Sequence, residues 1–359
     1  MVKKWIDKVS TPALIIDYDK MQKNIEKMVQ FTKENNVNLR PHAKTHKSPI
    51  IGKLQLDAGS SGICVARVGE AEVFAQQGFD DILIANQVID INQIKRLVNL
   101  NKDSLVRTCV DSEKNVLDLN EHALKEGIIL EVVIEVDVGL GRNGVKPGDP
   151  ALEFANFIKN LKGLKIVGLQ GYEGHLISVH DDDLRKKQTE ECMQLLVETR
   201  DLLNKNGFNI EYLTASNSGT YKFSGKYEGI TELQPGTYVF NDEHHYRIVP
   251  EFEIAATILG TITNIPGKRL YTIDAGLKAV TNDNGNPIFK KYPKCRIRVM
   301  TEEHSIFRAS PNDNFEIGQK IELIPSHICT TVNLYDHFTV IKDDEIFARW
   351  DIPARGKNY

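Results

Sequence analysis

The chain has 359 residues, 41% of them apolar and 26% charged, with a formal net charge of −4. It carries no basic excess to serve as a nucleic-acid footprint, and no apolar run reaches the length of a membrane span. The first seven residues lack the apolar core of a signal peptide, and five scattered cysteines, an odd number, favour reduced thiols in a cytoplasm over a disulfide framework.

A first strand is predicted at Ala13–Ile16. Eight more apolar runs follow at 37–40, 62–66, 81–85, 104–110, 129–138, 164–170, 210–214 and 230–233. Between most of them lie amphipathic stretches such as Asp19–Asn35, with Met21, Ile25, Met28 and Val29 on one face. Eight strands separated by helices predict an α/β fold, a closed (β/α)8 barrel over 17–245, with a doubly wound open sheet as the competing architecture. After about residue 250 the runs shorten, near 252–264, 270–273, 294–300, 319–324, 337–341 and 345–350, separated by Gly, Pro and Asn. Residues 246–359 therefore read as a second, mostly β domain without a helix-length amphipathic segment.

Just past the first barrel strand stands Arg40-Pro41-His42-Ala43-Lys44-Thr45-His46-Lys47. Crowding among cations eases the loss of a proton from Lys44, and a neutral amine is what Schiff-base chemistry needs. A free lysine supplies that form in only roughly 1 molecule in 2,000 at pH 7. A basic loop that binds phosphate or faces solvent is the plainer reading of the same residues.

Barrel enzymes place their sites at the C-terminal ends of the strands, and often hold phosphate in the loops after the seventh and eighth. Those loops here are Ser216-Asn217-Ser218-Gly219-Thr220 and Gln234-Pro235-Gly236-Thr237, rich in hydroxyls, glycine and backbone N–H groups. After the sixth strand comes Gly171-Tyr172-Glu173-Gly174-His175. After the fifth, Gly139–Gly144 matches G-x-G-x-x-G, but its strand alternates Glu131, Glu135 and Asp137 with valines, unlike the apolar central strand of a dinucleotide-binding sheet. That alternation suits a barrel strand with a polar upper interior, and Arg142 then reads as a cation reaching into the site. In the β domain, His327 and Cys329 form a His-x-Cys. On an extended chain both would point to one side and could share a cation; the alternative is a packed cysteine beside a structural histidine.

These stretches, together with Thr11-Pro12-Ala13-Leu14, the run from Gln234 to Asp242, Asp274-Ala275-Gly276-Leu277-Lys278, and Pro325 to Leu334, resemble the D-threonine aldolase / D-serine dehydratase family. These are pyridoxal-phosphate enzymes of the alanine-racemase-like fold. The resemblance implies a β domain that also takes the N-terminal strand, residues 1–16, and a homodimer. It implies that Lys44 carries pyridoxal 5'-phosphate and that Arg142 and Tyr172 lie beside it. Ser218, Gly219, Thr220, Gly236 and Thr237 would hold the phosphate. His327 and Cys329 would bind a divalent metal, for which a thiolate favours zinc over manganese or magnesium.

The substrate implied is a D-3-hydroxy amino acid. Cleavage to glycine and an aldehyde is the aldolase outcome; loss of water to a keto acid and ammonia is that of D-serine or D-threo-3-hydroxyaspartate dehydratases. Chain length and motif spacing favour the aldolase, whereas a cysteine as second ligand looks more like the dehydratases. His175 is a candidate base, with His180 nearby in sequence. Two other readings remain: a racemase using Tyr271 or Tyr335 as a second base, and a carrier of the cofactor without turnover.

Overall fold

The computed structural model describes residues 5–359. They form two compact units, one of residues 28–44, 49–236 and 356–359, the other of residues 5–27, 45–48 and 237–355. Relative to the sequence-based bounds of 17–245 against 1–16 and 246–359, residues 17–27, 45–48 and 237–245 join the β unit. Residues 1–4 lie outside the described residues.

The first strand, β1 (Ala13–Asp17), belongs to the β unit. The next eight are β2 (Asn38–Leu39), β3 (Ile63–Val65), β4 (Asp81–Gln87), β5 (Leu105–Val110), β6 (Leu130–Val136), β7 (Leu164–Gly171), β8 (Tyr212–Ala215) and β9 (Glu232–Leu233). All eight are parallel, in the order β2-β9-β8-β7-β6-β5-β4-β3. The order advances without the reversal that defines a doubly wound sheet. Its two ends meet through a short seam. Past β2 the backbone bridges His42 to Cys64, with Cys64 N–H donating to Pro41 O (2.9 Å) and Ala43 N–H to Cys64 O (2.7 Å). On the other side Arg40 N–H donates to Leu233 O (2.9 Å) and His42 N–H to Pro235 O (3.0 Å). The closed barrel expected from the eight runs is the fold.

Side chains fill the barrel in three layers. At the strand starts, Asp81, Arg107, Glu131, Lys165, Tyr212 and Glu232 are joined by charge-assisted bonds to one another and to Arg40, which follows β2. Arg40 spans Glu232 (3.0 Å) and Asp81 (2.8 Å), Arg107 spans Asp81 (2.6 Å) and Glu131 (2.9 Å), and Lys165 reaches Glu131 (2.8 Å). Glu232 also accepts from the hydroxyls of Tyr212 (2.5 Å), Thr214 (3.1 Å) and Ser61 (3.3 Å). Above lies an apolar layer of Cys64, Leu83, Cys109 and Val133. At the strand ends the interior turns polar again: Gln87 donates to Glu135 (2.6 Å), and Gln234 to Gln170 (2.9 Å) and Thr214 (2.7 Å). The carboxylates of β6 thus divide between floor and ceiling. Glu135 lies in the polar upper interior anticipated from the alternation, while Glu131 serves the floor instead. Gly62 lets the floor close, because a Cβ there would sit 2.2 Å from Arg40 Nη1.

Outside, helices cover the strands with apolar stripes at i, i+3, i+4 spacing. Ile94, Leu97 and Val98 do so from 91–100, and Val116, Leu119 and Ala123 from 113–125. Asp90 and Asp181 cap the N-termini of 91–100 and 182–205 through backbone N–H groups.

The β unit adds β10 (Ala256–Gly267), β11 (Leu270–Ile273), β12 (Ile288–Phe289), β13 (Arg296–Met300), β14 (Ser305–Arg308), β15 (Lys320–Ile324), β16 (His337–Lys342) and β17 (Glu345–Asp351). With β1 they form a sheet in the order β13-β14-β11-β10-β1-β16-β17, β15 branching from β10 and carrying β12. β1 lies antiparallel to β10 and parallel to β16. Asp274 accepts from the Thr11 hydroxyl (2.5 Å) and from Thr261 N–H (2.6 Å), so the Asp274–Lys278 motif ties the N-terminal segment to this sheet.

The floor yields a prediction. Removing one member of a buried ion pair leaves the other uncompensated, at a cost of about 3–5 kcal/mol. Glu232→Ala should lower the unfolding free energy by that amount in urea titration, and Glu232→Gln by less, because the amide still accepts from Arg40. An unchanged midpoint for Glu232→Ala would remove the floor network from the forces holding the barrel shut.

Candidate active site

The seam delivers Lys44 to the C-terminal end of the barrel, its N–H donating to His42 Nδ1 (3.3 Å). Lys44 Nζ stands 5.4 Å from the centre of the Tyr172 ring, and the Arg142 guanidinium 5.3 Å from that same centre. Tyr172 folds back over Gly174, where a Cβ would come within 2.3 Å of the ring. The structure thus brings together Lys44, Arg142 and Tyr172. It revises the electrostatics inferred from the run 40–47: Arg40 is buried and neutralised by Glu232 and Asp81, so it does not join a crowd of free cations around Lys44. Burial opposes charge on Arg40, but Glu232 and its other partners hold its pKa well above the usual value.

The Gly139–Gly144 loop makes a tight crown over β6. Gly139, Gly141 and Gly144 all have positive φ (124°, 66° and 103°). The N–H groups of Gly139 and Gly141 donate to Asp137 Oδ1 (3.1 and 2.9 Å), and that of Gly144 to Asp111 (2.9 Å). N–H groups committed to carboxylates are not a pyrophosphate cradle, so the fingerprint is a structural turn. Arg142 leans toward Glu135 (3.8 Å), whose pKa burial raises against its bonds to Gln87 and the charge of Arg142. His175 packs against Gly139, where a Cβ would stand 3.3 Å from the imidazole, and its buried Nδ1 has no hydrogen-bond partner. Burial lowers the pKa of His175, against a smaller opposing pull from Asp137.

Sequence reasoning gave Glu173 no role. It is fully buried and accepts from Thr220 Oγ1 (2.6 Å), Ser224 Oγ (3.0 Å) and Ser216 N–H (3.2 Å). Burial raises its pKa, partly offset by these bonds. The carboxylate braces the loop holding Ser218, Gly219 and Thr220, in which Ser216 sits at φ 86°, a left-handed conformation unfavourable for a residue with a Cβ. Gln234 N–H donates to Ala215 O (2.9 Å), which sets the turn before Gly236 beside that loop. Only the placement of Glu173 between Tyr172 and Gly174 could have signalled it.

In the β unit, the side chains of His327 and Cys329 lie close enough to shift each other's protonation. Burial works against both charged forms, but their mutual interaction outweighs it: with help from Asp283 it raises His327 to about 10, and with help from Thr45 it lowers Cys329 to about 7. The pair does not lie on an extended strand, as the i, i+2 argument supposed. His327 is extended (φ −141°, ψ 110°) and Ile328–Val332 is a single helical turn, so the turn and not a pleat brings imidazole and sulfur together. Asp242 anchors that turn, accepting from Ile328 N–H (3.0 Å) and from His245 N–H and Nδ1 (2.9 and 2.8 Å). Cys329 Sγ lies 3.2 Å from Thr45 Oγ1 and 3.7 Å from Thr237 Oγ1. Thr237, expected at a phosphate, therefore has a hydroxyl directed to sulfur. Among the described residues no group of three or more His, Cys, Asp or Glu is gathered for a metal. A nitrogen and a thiolate sulfur within reach of each other fit a divalent ion with further positions open.

The two tyrosines considered as a racemase base are otherwise engaged. Tyr335 donates its hydroxyl to Ala279 O (2.8 Å), and Tyr271 is buried against Phe307 and Phe315.

Residues 16–244 match the family of the alanine racemase N-terminal domain, and residues 255–341 a serine dehydratase domain. The chain is 32% identical to a 3-hydroxy-D-aspartate aldolase of Paracoccus denitrificans (98% of this chain, 93% of the relative). It is 32% identical to a D-threonine aldolase of Arthrobacter (97% and 93%) and 26% identical to a D-threo-3-hydroxyaspartate dehydratase of Delftia (96% and 97%). The crystal structure of a D-threonine aldolase from Filomicrobium marinum superposes with a TM-score of 0.95 at 32% identity, covering 98% of this chain and 97% of that one. Barrel, β domain and matching residues together assign the chain to the D-threonine aldolase / D-serine dehydratase family of alanine-racemase-like fold.

Proposed function

We propose that the protein is a pyridoxal-phosphate- and divalent-metal-dependent lyase that cleaves D-3-hydroxy amino acids to glycine and an aldehyde. The observation that carries the reading is the amine at 44 beside the Tyr172–Arg142 stack, on a chain whose aldolase relatives share 32% identity over nearly its whole length. Pyridoxal phosphate supplies the electron sink that weakens bonds at the substrate Cα, and a divalent ion the charge that acidifies a β-hydroxyl.

The protein's own groups do the rest. Lys44 Nζ is the amine that would hold the cofactor's aldehyde group. Arg142 and Lys44, both over the Tyr172 ring, hold positive charge beside it. We assign a phosphate to the Glu173-braced loop of Ser218, Gly219 and Thr220 and to the adjoining turn at Gly236 and Thr237; without it, the Thr220 hydroxyl donates to Glu173 (2.6 Å) and the Gly219 N–H to Asn217 Oδ1 (2.8 Å). His327 and Cys329 offer nitrogen and sulfur to the ion. Thr45, which hydrogen-bonds Cys329, is joined by one peptide bond to Lys44. Zinc suits the thiolate better than manganese or magnesium. His175, kept neutral at neutral pH by burial, is the group we assign to take the β-hydroxyl proton as the Cα–Cβ bond breaks.

Dehydration is the second reading, favoured by Cys329 itself, since a cysteine at this ligand position looks more like the dehydratases. There Lys44 would remove the Cα proton and the β-hydroxyl would leave as water. A cytoplasmic homodimer completes the proposal; no helix among the described residues is long and apolar enough to cross a membrane.

Lys44→Ala should lose the borohydride-reducible visible absorbance of the cofactor-loaded protein; a mutant that keeps it takes the anchoring role from Lys44. Given D-threonine, the purified protein should yield acetaldehyde and glycine in equal amounts, and given D-serine little pyruvate. Keto acid and ammonia as the main products would reverse the choice of reaction. His175→Ala should lower kcat by roughly a hundredfold or more while cofactor absorbance persists. Retention of kcat would place the base elsewhere.

A further inference from the structure

His327 does not hold its orientation alone. Its Nδ1 meets Asp283 Oδ2 at 2.5 Å, so Nε2 is the ring nitrogen left to serve as a donor. The other carboxylate oxygen of Asp283 accepts from Thr330 Oγ1 (2.9 Å), a residue of the same helical turn as Cys329. Around this contact the segment 281–285 is sewn to the segment 326–331. Thr281 Oγ1 lies 2.7 Å from Thr330 Oγ1 and 3.0 Å from Thr331 Oγ1, Thr331 Oγ1 donates to His327 O (2.9 Å), and Ser326 Oγ donates to Gly285 O (2.5 Å). An isolated Asp–His pair at a surface contributes little and holds neither ring nor carboxylate in place. Here both carboxylate oxygens are used, and the loop that carries Asp283 is bonded on either side of it to the segment it faces.

We propose that Asp283 is the positioning residue of the metal site: by accepting from Nδ1 it fixes the His327 ring so that Nε2, beside the Cys329 sulfur, is the ligating atom. The inference rests on the reading of His327 and Cys329 as metal donors and adds to it a third residue that never touches the ion. Ligating histidines whose second nitrogen is held by a carboxylate lose roughly 10–100-fold in metal affinity when that support is removed. Nothing in the sequence marks Asp283, which sits in the polar run Thr281-Asn282-Asp283-Asn284-Gly285 like any turn aspartate.

The test uses the full chain loaded with pyridoxal phosphate and stripped of metal by chelator. Co2+ is titrated in and followed by the thiolate-to-metal absorption band, and Zn2+ affinity is measured by competition with a chromophoric chelator. Asp283→Ala should weaken both ions by roughly 10–100-fold with the cofactor's absorbance intact. Asp283→Asn, whose amide oxygen still accepts from Nδ1, should stay within a few-fold of the unmodified protein. Equal affinity in Asp283→Ala, or a loss in Asp283→Asn as large as in Asp283→Ala, overturns the positioning role. His327→Ala and Cys329→Ala separate this from the underlying reading: both should abolish the band. If they bind metal as the unmodified protein does, the donor pair itself is wrong and the role of Asp283 falls with it.

Discussion

The barrel depends on a seam only a few residues wide. β2 spans two residues and β9 two, so the ordinary ladder supplies little to join the edges of the eight-stranded sheet. What closes it is the backbone of 40–43, hydrogen-bonded to 233–235 on one side and to Cys64 on the other, above the Arg40–Glu232–Asp81 contacts. The next residue is Lys44. The position of the Lys44 amine is thus set by the same bonds that turn an open sheet into a barrel, and a lysine one residue earlier or later would have its side chain in a different register.

Charge is partitioned along the barrel axis in a way β6 makes plain. Its inward residues are Glu131, Val133 and Glu135. The first carboxylate is neutralised by Arg107 and Lys165, and its pKa is lowered: burial raises it, but the two cations outweigh that. The last is only weakly compensated by Gln87 and a distant Arg142, and its pKa is raised. The two glutamates, four residues apart on one strand, are therefore pushed in opposite directions. The floor is a stabilising network with its charges matched. The ceiling is left with unmatched charge and polarity, as is expected of the end where chemistry is done.

Much of this was legible in the sequence because it is periodic. Eight apolar runs at helix-length spacing specify a barrel, and the alternation in β6 distinguished it from a dinucleotide-binding sheet. β12 and β14 were not among the predicted runs. β12 pairs over a long range with Ile324 and Leu323, and β14 forms a hairpin with 296–300 and pairs at longer range with 270–273. Glu173 and Asp283 also escaped notice. Each acts on a segment some 44 residues away, Glu173 on 216–220 and Asp283 on 327–330, and a carboxylate that braces a distant loop looks in sequence like any solvated acid. His327 and Cys329 were found by residue type, yet the geometry offered for them was wrong, since i, i+2 spacing cannot distinguish a strand from the first turn of a helix capped by an extended residue.

The surroundings of the sulfur bear on which bond the enzyme breaks. Cys329 has two hydroxyls near it, Thr45 at 3.2 Å and Thr237 at 3.7 Å, and each belongs to a residue directly following a candidate cofactor contact, Lys44 and Gly236. Consecutive Cα atoms are about 3.8 Å apart, so peptide bonds alone keep Thr45 and Thr237 close in the chain to Lys44 and Gly236. Were Cys329 to hold a divalent ion, a hydroxyl donated to its sulfur would withdraw charge from it and leave the ion more electrophilic toward a substrate oxygen. That serves either outcome, because both need an acidified β-hydroxyl. The outcomes differ in which proton leaves first. Cleavage of Cα–Cβ needs a base at the hydroxyl, a role for which His175, with its lowered pKa, is suited. Dehydration needs one at Cα, where Lys44 is the candidate. Cys329 alone therefore does not decide between the two reactions, and it is compatible with an aldolase in which a base stands at the hydroxyl.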